Sequence, residues 1–301
     1  MKRPIDIRIA NFIKKKTENY IKFRMKPIDI EEENNKRWLS NFVDGNESFI
    51  HQLNDEIKIN LYRDSILCKL IFISFEEAEI VFLNKFLKPG NVFFDVGANI
   101  GLFSLHASKC IGNEGRVCSF EPSPETYKRL KKNFEVNDIN NVVAENIGLS
   151  EKEDTLKFNV SISGYDAWNS FANLSDVGEF NSINVPVISL DEYIIREKIS
   201  NINLIKIDVE GWELFVLRGA TNLLSSDDAP VLMIEFTEAN TFSAGYYCGE
   251  LFDYVKSFGY EWYSYNAQNN ELNPQIKKLH YPYENLIAIK DIEKVKLIIN
   301  S

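Results

Sequence analysis

Four apolar, strand-like segments each end on an acid: VFFD at Asp95, VCSFE at Glu121, LIKID at Asp208 and LMIE at Glu235. A carboxylate in such a place accepts hydrogen bonds from sugar hydroxyls, draws in a cation, or takes or orients a proton. Asp95 opens the stretch DVGANIG, with two glycines four apart (Gly97 and Gly101) and an apolar, helix-like segment behind them. A glycine-rich turn between strand and helix lets a ligand approach the backbone closely. In the dinucleotide fingerprint G-x-G-x-x-G a pyrophosphate sits at the helix N-terminus. Here the third glycine is absent and an acid precedes the first. That acid repels a pyrophosphate and suits a ligand that carries positive charge and no phosphate.

S-adenosylmethionine, with its sulfonium and α-amino group, is such a ligand. Glu121 comes 20 residues after Gly101, where a carboxylate accepts hydrogen bonds from ribose hydroxyls. Nicotinamide enzymes use the same device, so Glu121 selects a cofactor only together with DVGANIG. Incidental polar residues at strand ends would explain Asp95 or Glu121 alone better than both with this loop.

The elements that must position these acids follow from periodicity. Residues 54–74 (with EIKINLYRD and ILCKLIFIS) suggest a β-hairpin, and FEEAEIVFLNKF (75–86) has helical spacing closed by Pro89-Gly90. Then strands and helices alternate. NVFFDV (91–96), RVCSFEP (116–122), VVAENIGLS (142–150), NVPVISL (184–190), NLIKIDVEG (203–211) and PVLMIEFTE (230–238) read as strands. Residues 100–110, 124–137, 190–198, 212–224 and 250–258 read as helices, and TLKFNVSIS (155–163) as a β excursion. Continuous apolar strands between helices imply a parallel sheet covered on both faces, and such sheets bind ligands at the carboxyl ends of their strands.

DVGANIGLFSL, VCSFEPSPETYKRLKKNF, ENIGLSE, LIKIDVEGWELFVLRGA and PVLMIEF occur in this order. With them the chain resembles the FkbM-type methyltransferases over roughly residues 70–290. The resemblance implies an α/β class I methyltransferase (Rossmann-like) fold: a doubly wound seven-stranded sheet whose last two strands are YEWYSYN and ENLIAIK, the final one antiparallel. It does not reach residues 1–47, which read from their charge as a basic accessory segment, and leaves a methyltransferase domain expected over 48–301, with a hairpin and helix over 48–90 and the core over 91–290. It also implies S-adenosylmethionine as cofactor. Asp95, Gly97, Ala98, Asn99 and Gly101 would lie under its methionine part, Glu121 on the ribose, Pro122 and Ser123 at the adenine edge and Asn146 near the adenine. Asp208 and Glu210 would stand where methyl donor and acceptor meet. The implied activity is O-methylation of a sugar, glycan or other hydroxylated metabolite. The alternatives are a nicotinamide-dependent oxidoreductase and a non-catalytic binding protein on the same fold.

Methyl transfer is an in-line displacement, and holding its partners aligned lowers a barrier by roughly 7–11 kcal/mol. An alcohol is a poor nucleophile until it begins to lose its proton, and a strand-end carboxylate can accept that proton or orient the hydroxyl. Asp208 is the first candidate and Glu210 the second. Asp208 and Glu235 on neighbouring strand ends form an alternative, a pair for a divalent cation such as Mg²⁺, although no metal ligand set is assigned.

The chain has 301 residues with 34 Lys and Arg against 44 Asp and Glu, a net charge of −10. That balance argues against a phosphate-backbone partner such as nucleic acid. Residues 1–26 hold nine Lys/Arg and two Asp/Glu, so the remainder carries −17. The expected role of this basic arm is a solvated extension on its own acidic domain; peripheral contact with an anionic membrane, a protein partner or a second copy of the chain is the other. No apolar run approaches the roughly 18 residues of a membrane span. Cys68, Cys110, Cys118 and Cys248 form no CxxC pair, and the reading is reduced thiols in a cytoplasmic protein. His51, His106 and His280 read as packing or loop residues rather than catalysts. SGYDAWNSFAN (163–173) gathers aromatics and short polar groups suited either to acceptor recognition or to anchoring a loop.

Overall fold

The computed structural model describes residues 28–161, 169–172 and 180–301. It begins with helix α1 (Ile28–Leu39) and an antiparallel hairpin of β1 (Ser48–Gln52) and β2 (Lys58–Tyr62). The hairpin expected over 54–74 therefore lies earlier, and ILCKLIFI is instead helix α2 (Ile66–Ile73). An eight-residue apolar run does not distinguish strand from helix by period. The cap decides: Ser65 accepts a hydrogen bond from the Cys68 amide at 3.0 Å and starts the helix. Helix α3 (Glu77–Phe86) leads into the alternation of strands and helices.

That alternation runs β3 (Val92–Val96), α4 (Leu102–Ile111), β4 (Arg116–Phe120), α5 (Pro124–Val136), β5 (Val142–Glu145), β6 (Gly148–Leu149), β7 (Asp154–Ser161), β8 (Phe180–Ile188), α6 (Leu190–Glu197) and β9 (Ile202–Ile207). It continues through α7 (Glu213–Arg218), α8 (Thr221–Ser225), β10 (Val231–Phe236), α9 (Glu238–Ser243), α10 (Cys248–Lys256), β11 (Glu261–Asn266), β12 (Glu271–Pro274), β13 (Glu284–Ile289) and α11 (Ile292–Ile299). The central sheet has the order β12-β11-β13-β10-β9-β3-β4-β5. Strands β5, β4, β3, β9 and β10 are mutually parallel, and β13 runs antiparallel to both β10 and β11. These are the seven expected strands with the final one reversed; the short β12 adds an eighth at the edge.

NVPVISL does not enter this sheet. It forms the end of β8, which pairs with β6 and β7 in a three-stranded side sheet. The helix expected over 212–224 is two short helices, α7 and α8, broken at Gly219-Ala220. Part of SGYDAWNSFAN, including Tyr165, Asp166 and Trp168, lies outside the described residues, as does the basic arm over 1–26.

Alternate strand residues feed two cores. Phe93, Leu204, Met233 and Ile287 face α2 to α5 and α11; Phe94, Val96, Ile205, Ile207, Leu232 and Ile234 face α6 to α8 and α10. Burial on both faces explains why these strands read as apolar runs. The three residues that break the runs, Asp95, Lys206 and Glu235, are buried too. The sheet order reverses between β3 and β9, since β3 continues through β4 on one side and borders β9 on the other. Among the described residues no helix is long and apolar enough to cross a membrane.

Candidate functional site

The turn after β3 is held by its neighbours. The Gly97 and Ala98 amides both donate to the Phe120 carbonyl, at 3.1 and 3.0 Å, and the Asp208 amide donates to the Val96 carbonyl at 3.0 Å. Gly97 has φ +82°, and a Cβ there would stand 1.9 Å from the Asp208 carbonyl oxygen. Gly101, at φ +93°, faces Leu130 and Phe134, with 2.6 Å from a built Cβ to Leu130 Cδ1. The space that glycine leaves open at both positions is thus filled by the chain itself. These glycines bring the β9 end and helix α5 against the turn.

Asp95 lies one residue inside β3, 1% exposed. Its Oδ2 accepts from the Ser104 hydroxyl at 2.6 Å, and the Ser104 and Ser119 hydroxyls lie 2.7 Å apart. Its Oδ1 is buried and has no hydrogen-bond partner among the described residues. Burial pushes the Asp95 carboxyl above its usual range, against the pull of Lys206, its partner on β9.

Glu121 follows β4 and is buried. Its Oε2 accepts from the Asn99 amide at 3.0 Å and its Oε1 from the Ser123 amide at 2.9 Å. One carboxylate therefore ties the glycine turn to the start of α5. Ser123 caps that helix through the Thr126 amide, and Pro124 occupies its first turn. The Asn146 side-chain amide donates to the Glu121 and Pro122 carbonyls at 2.8 and 3.1 Å. The predicted ribose and adenine residues thus form one hydrogen-bonded rim.

The ends of β9 and β10 carry the acids. Lys206 Nζ donates to Asp208 Oδ2 at 2.7 Å and lies 4.6 Å from the centre of the Phe103 ring. Burial would strip Lys206 of its proton, but Asp208, Glu76 and Asp95 more than offset that and hold it charged. Burial likewise raises the Asp208 carboxyl, yet the Lys206 charge and hydrogen bond outweigh it and leave Asp208 below its usual range. Glu210 has φ +52°; its carboxylate accepts from the Asn240 side-chain amide and its carbonyl from the Ser170 hydroxyl at 2.7 Å. Glu235 is buried with its Oε1 accepting from the Thr237 hydroxyl at 2.5 Å. Burial first, then Glu210, Asp208 and Glu213, push its carboxyl well up.

Three further groups join this site that motif reading did not single out. Glu76, before α3, accepts from the Tyr283 hydroxyl at 3.0 Å and the Asn285 amide at 3.1 Å, and burial pushes it up to about 7. Glu213 Oε1 accepts from the Val209 and Gly211 amides at 3.1 and 3.0 Å and fixes the 208–213 turn. Lys206 had a readable signal: a lysine inside an apolar parallel strand is buried and must be paired. Glu76 had none, because FEEAEIVF presents its acids like any solvated helix face. His106 is buried, and burial lowers it to about 4; it holds no place among the acids by any hydrogen bond described. Cys68, Cys110, Cys118 and Cys248 form no disulfide among the described residues.

A doubly wound sheet with this strand order, a reversed last strand and acids at its switch point defines the class I methyltransferase fold. The Methyltransferase FkbM domain model matches residues 95–262, more than half of the chain, and the chain belongs to this family. It is similar to the hexuronic acid methyltransferase AglP of Haloferax volcanii, 34% identical over 151 residues, or 50% of this chain and 59% of that protein. It is also similar to the 31-O-demethyl-FK506 methyltransferase FkbM of Streptomyces tacrolimicus, 32% identical over 161 residues, covering 44% of this chain and 60% of that one. The chain therefore spans about six-tenths of the length of these relatives. Among solved structures, the precorrin-6y C5,15-methyltransferase of Geobacter metallireducens overlays 71% of this chain and 86% of its own at a TM-score of 0.40 and 12% identity, a likeness too slight to add to the fold described above.

Proposed function

We propose that the chain is an S-adenosylmethionine-dependent O-methyltransferase whose acceptor is a hydroxyl of a sugar, a glycan or a related hydroxylated metabolite. The observation that carries this reading is the Asp95 carboxyl. It is buried at the switch point, one oxygen has no hydrogen-bond partner among the described residues, and further acids stand beside it. An anion-binding turn would not place a carboxylate there; a cationic ligand needs one. The residues present therefore fit S-adenosylmethionine, which when bound supplies an electrophilic methyl group on a positively charged sulfur.

In this reading Asp95, Gly97, Ala98, Asn99 and Gly101 hold the methionine part. Glu121 receives the ribose hydroxyls, and Pro122, Ser123 and Asn146 shape the adenine side. Asp208 and Glu210 face the acceptor. Asp208, kept ionised by Lys206, orients the acceptor hydroxyl by accepting its hydrogen bond, and Glu210 is anchored to Asn240 beside it. Pre-set positions of this kind supply most of what a displacement needs. The sugar-type acceptor is supported by the similarity to a hexuronic acid methyltransferase.

Calorimetric titration with S-adenosylmethionine, S-adenosylhomocysteine and NAD tests the cofactor assignment. The first two should bind in the micromolar range and NAD should not. Asp95→Asn removes the charge while leaving a side chain that still pairs with Ser104, and should weaken S-adenosylmethionine by about tenfold or more, one pKa-unit equivalent of charge interaction. Unchanged affinity in a folded variant would remove Asp95 from the cofactor site.

A further inference from the structure

The acids at the ends of β9 and β10 are arranged more closely than acceptor orientation requires. We propose that Asp208, Glu210 and Glu235 form a binding site for one divalent cation of the Mg²⁺ or Mn²⁺ kind, on which the hydroxyl oxygens of the acceptor assemble. One oxygen from each of the three carboxylates lies within 4.8 Å of the others. At the widest such spacing an ion would stand about 2.8 Å from each oxygen, so a small inward turn of the side chains brings all three to the roughly 2.0–2.6 Å of oxygen ligands. Each ligand is set by a different device: Asp208 by the end of β9, Glu210 by a left-handed backbone and its bond to Asn240, Glu235 by β10.

Glu235 points independently to a ligand. It is only 5% exposed. One of its oxygens takes the Thr237 hydroxyl, and the other is buried, meets no hydrogen-bond donor among the described residues and belongs to a carboxyl set against that of Asp208. The nearby protein cation, Lys206, is bonded to Asp208 Oδ2 and also faces Asp95 and Glu76. The three carboxylates, Glu235 buried and Asp208 and Glu210 half-buried, are thus left with an excess of negative charge that a cation or a proton relieves. All the donors are carboxylate oxygens, the choice of hard cations rather than of zinc or copper.

The ion would leave the rest of its coordination shell to water and to hydroxyls of the acceptor. Two adjacent hydroxyls of a sugar chelate such an ion, and its charge lowers the pKa of the one to be methylated. This role in the reaction rests on the methyltransferase reading; binding of the ion does not.

The test therefore uses the full chain with neither cofactor nor acceptor. Mn²⁺ is titrated and its free fraction read by electron paramagnetic resonance, with Mg²⁺ as competitor. One Mn²⁺ per chain, displaced by Mg²⁺, is expected. Glu235→Gln and Glu210→Gln should each weaken binding by about tenfold or more, since loss of an outer-shell partner alone costs a metal site roughly 10–100-fold. Exposed Glu56→Gln should change nothing. Near-ultraviolet circular dichroism checks that each variant is folded, and Glu210→Gln stands as the second variant should the buried Glu235→Gln fail. Absence of Mn²⁺ binding at millimolar concentration, with a proton relieving the cluster instead, overturns the proposal. So does binding that both variants leave unchanged. A chain that binds Mn²⁺ but not S-adenosylmethionine would sink the methyltransferase reading and leave this one standing; the reverse result would do the opposite.

Discussion

Glu76 keeps its carboxyl against Tyr283 and Asn285, at the left-handed residue that starts α3. Burial pushes it up to about 7, although Lys206 pulls the other way. In the unfolded chain the same group gives up its proton near the ordinary glutamate value of about 4.3. Between these two values the folded chain holds a proton that the unfolded chain has lost, so this residue makes stability fall as pH rises through that window. Its contribution is fully present below the window. Glu76→Gln keeps an oxygen for Tyr283 and Asn285 and has no proton to lose. Urea unfolding at pH 5 and pH 8 should show the variant gaining on the wild type as pH rises, by on the order of a few kcal/mol in all. A difference independent of pH would mean that Glu76 is ionised in the fold. Asp208 behaves oppositely because Lys206 bonds it directly. Two acids near one lysine thus take different protonation states, and the hydrogen bond decides which.

At the scale of elements, the site depends on contacts that bind the early hairpin to the sheet. Asn133 of α5 is fully buried, accepts from the Asn60 amide of β2 at 2.6 Å and donates to the Ile100 carbonyl in the glycine turn at 2.8 Å. Asn133→Ala leaves two buried backbone groups unsatisfied, each at a cost of roughly 1–3 kcal/mol, and should lower the urea midpoint accordingly. If stability stays within experimental error, solvent reaches those groups. Much of this level was legible in the chain. DVGANIG, SFEP and IKID lie at strand ends because local period and glycine punctuation say so, and β3, β4 and β10 stand within a residue or two of their predicted places, while β9 starts where expected and stops at Ile207, four residues before the predicted end. What stayed hidden was tertiary. ILCKLIFI forms a helix through one serine cap, NVPVISL leaves for a side sheet, and α3 delivers acids to a site more than a hundred residues downstream. The glycines also carry a packing role that their spacing did not show, since the β9 end and α5 press on Gly97 and Gly101 where a Cβ would stand.

At the scale of the whole molecule, the segment before the hairpin divides in its expected effects. Trp38 of α1 is 4% exposed, with ring centroids 4.9, 5.5 and 5.6 Å from Phe42, Phe49 and Phe72. Trp38→Ala should cost about 3–5 kcal/mol of stability, the usual loss for a buried tryptophan. Deleting residues 1–26 should leave S-adenosylmethionine affinity unchanged, since every residue assigned to the cofactor lies at position 95 or beyond. Calorimetry on the shortened chain checks this, and a lost site would make the arm part of the core. A last consequence follows from the place of β13, which slots between β10 and β11, both made before it. Glu235 stands opposite Asn285 in that register, and Asn285 also donates to Glu76 and Glu79. On the ribosome, then, the sheet has a gap beside β10 until the residues of β13 clear the exit tunnel. Half-made chains expose an open strand edge next to the acids, the kind of intermediate that chaperones recognise.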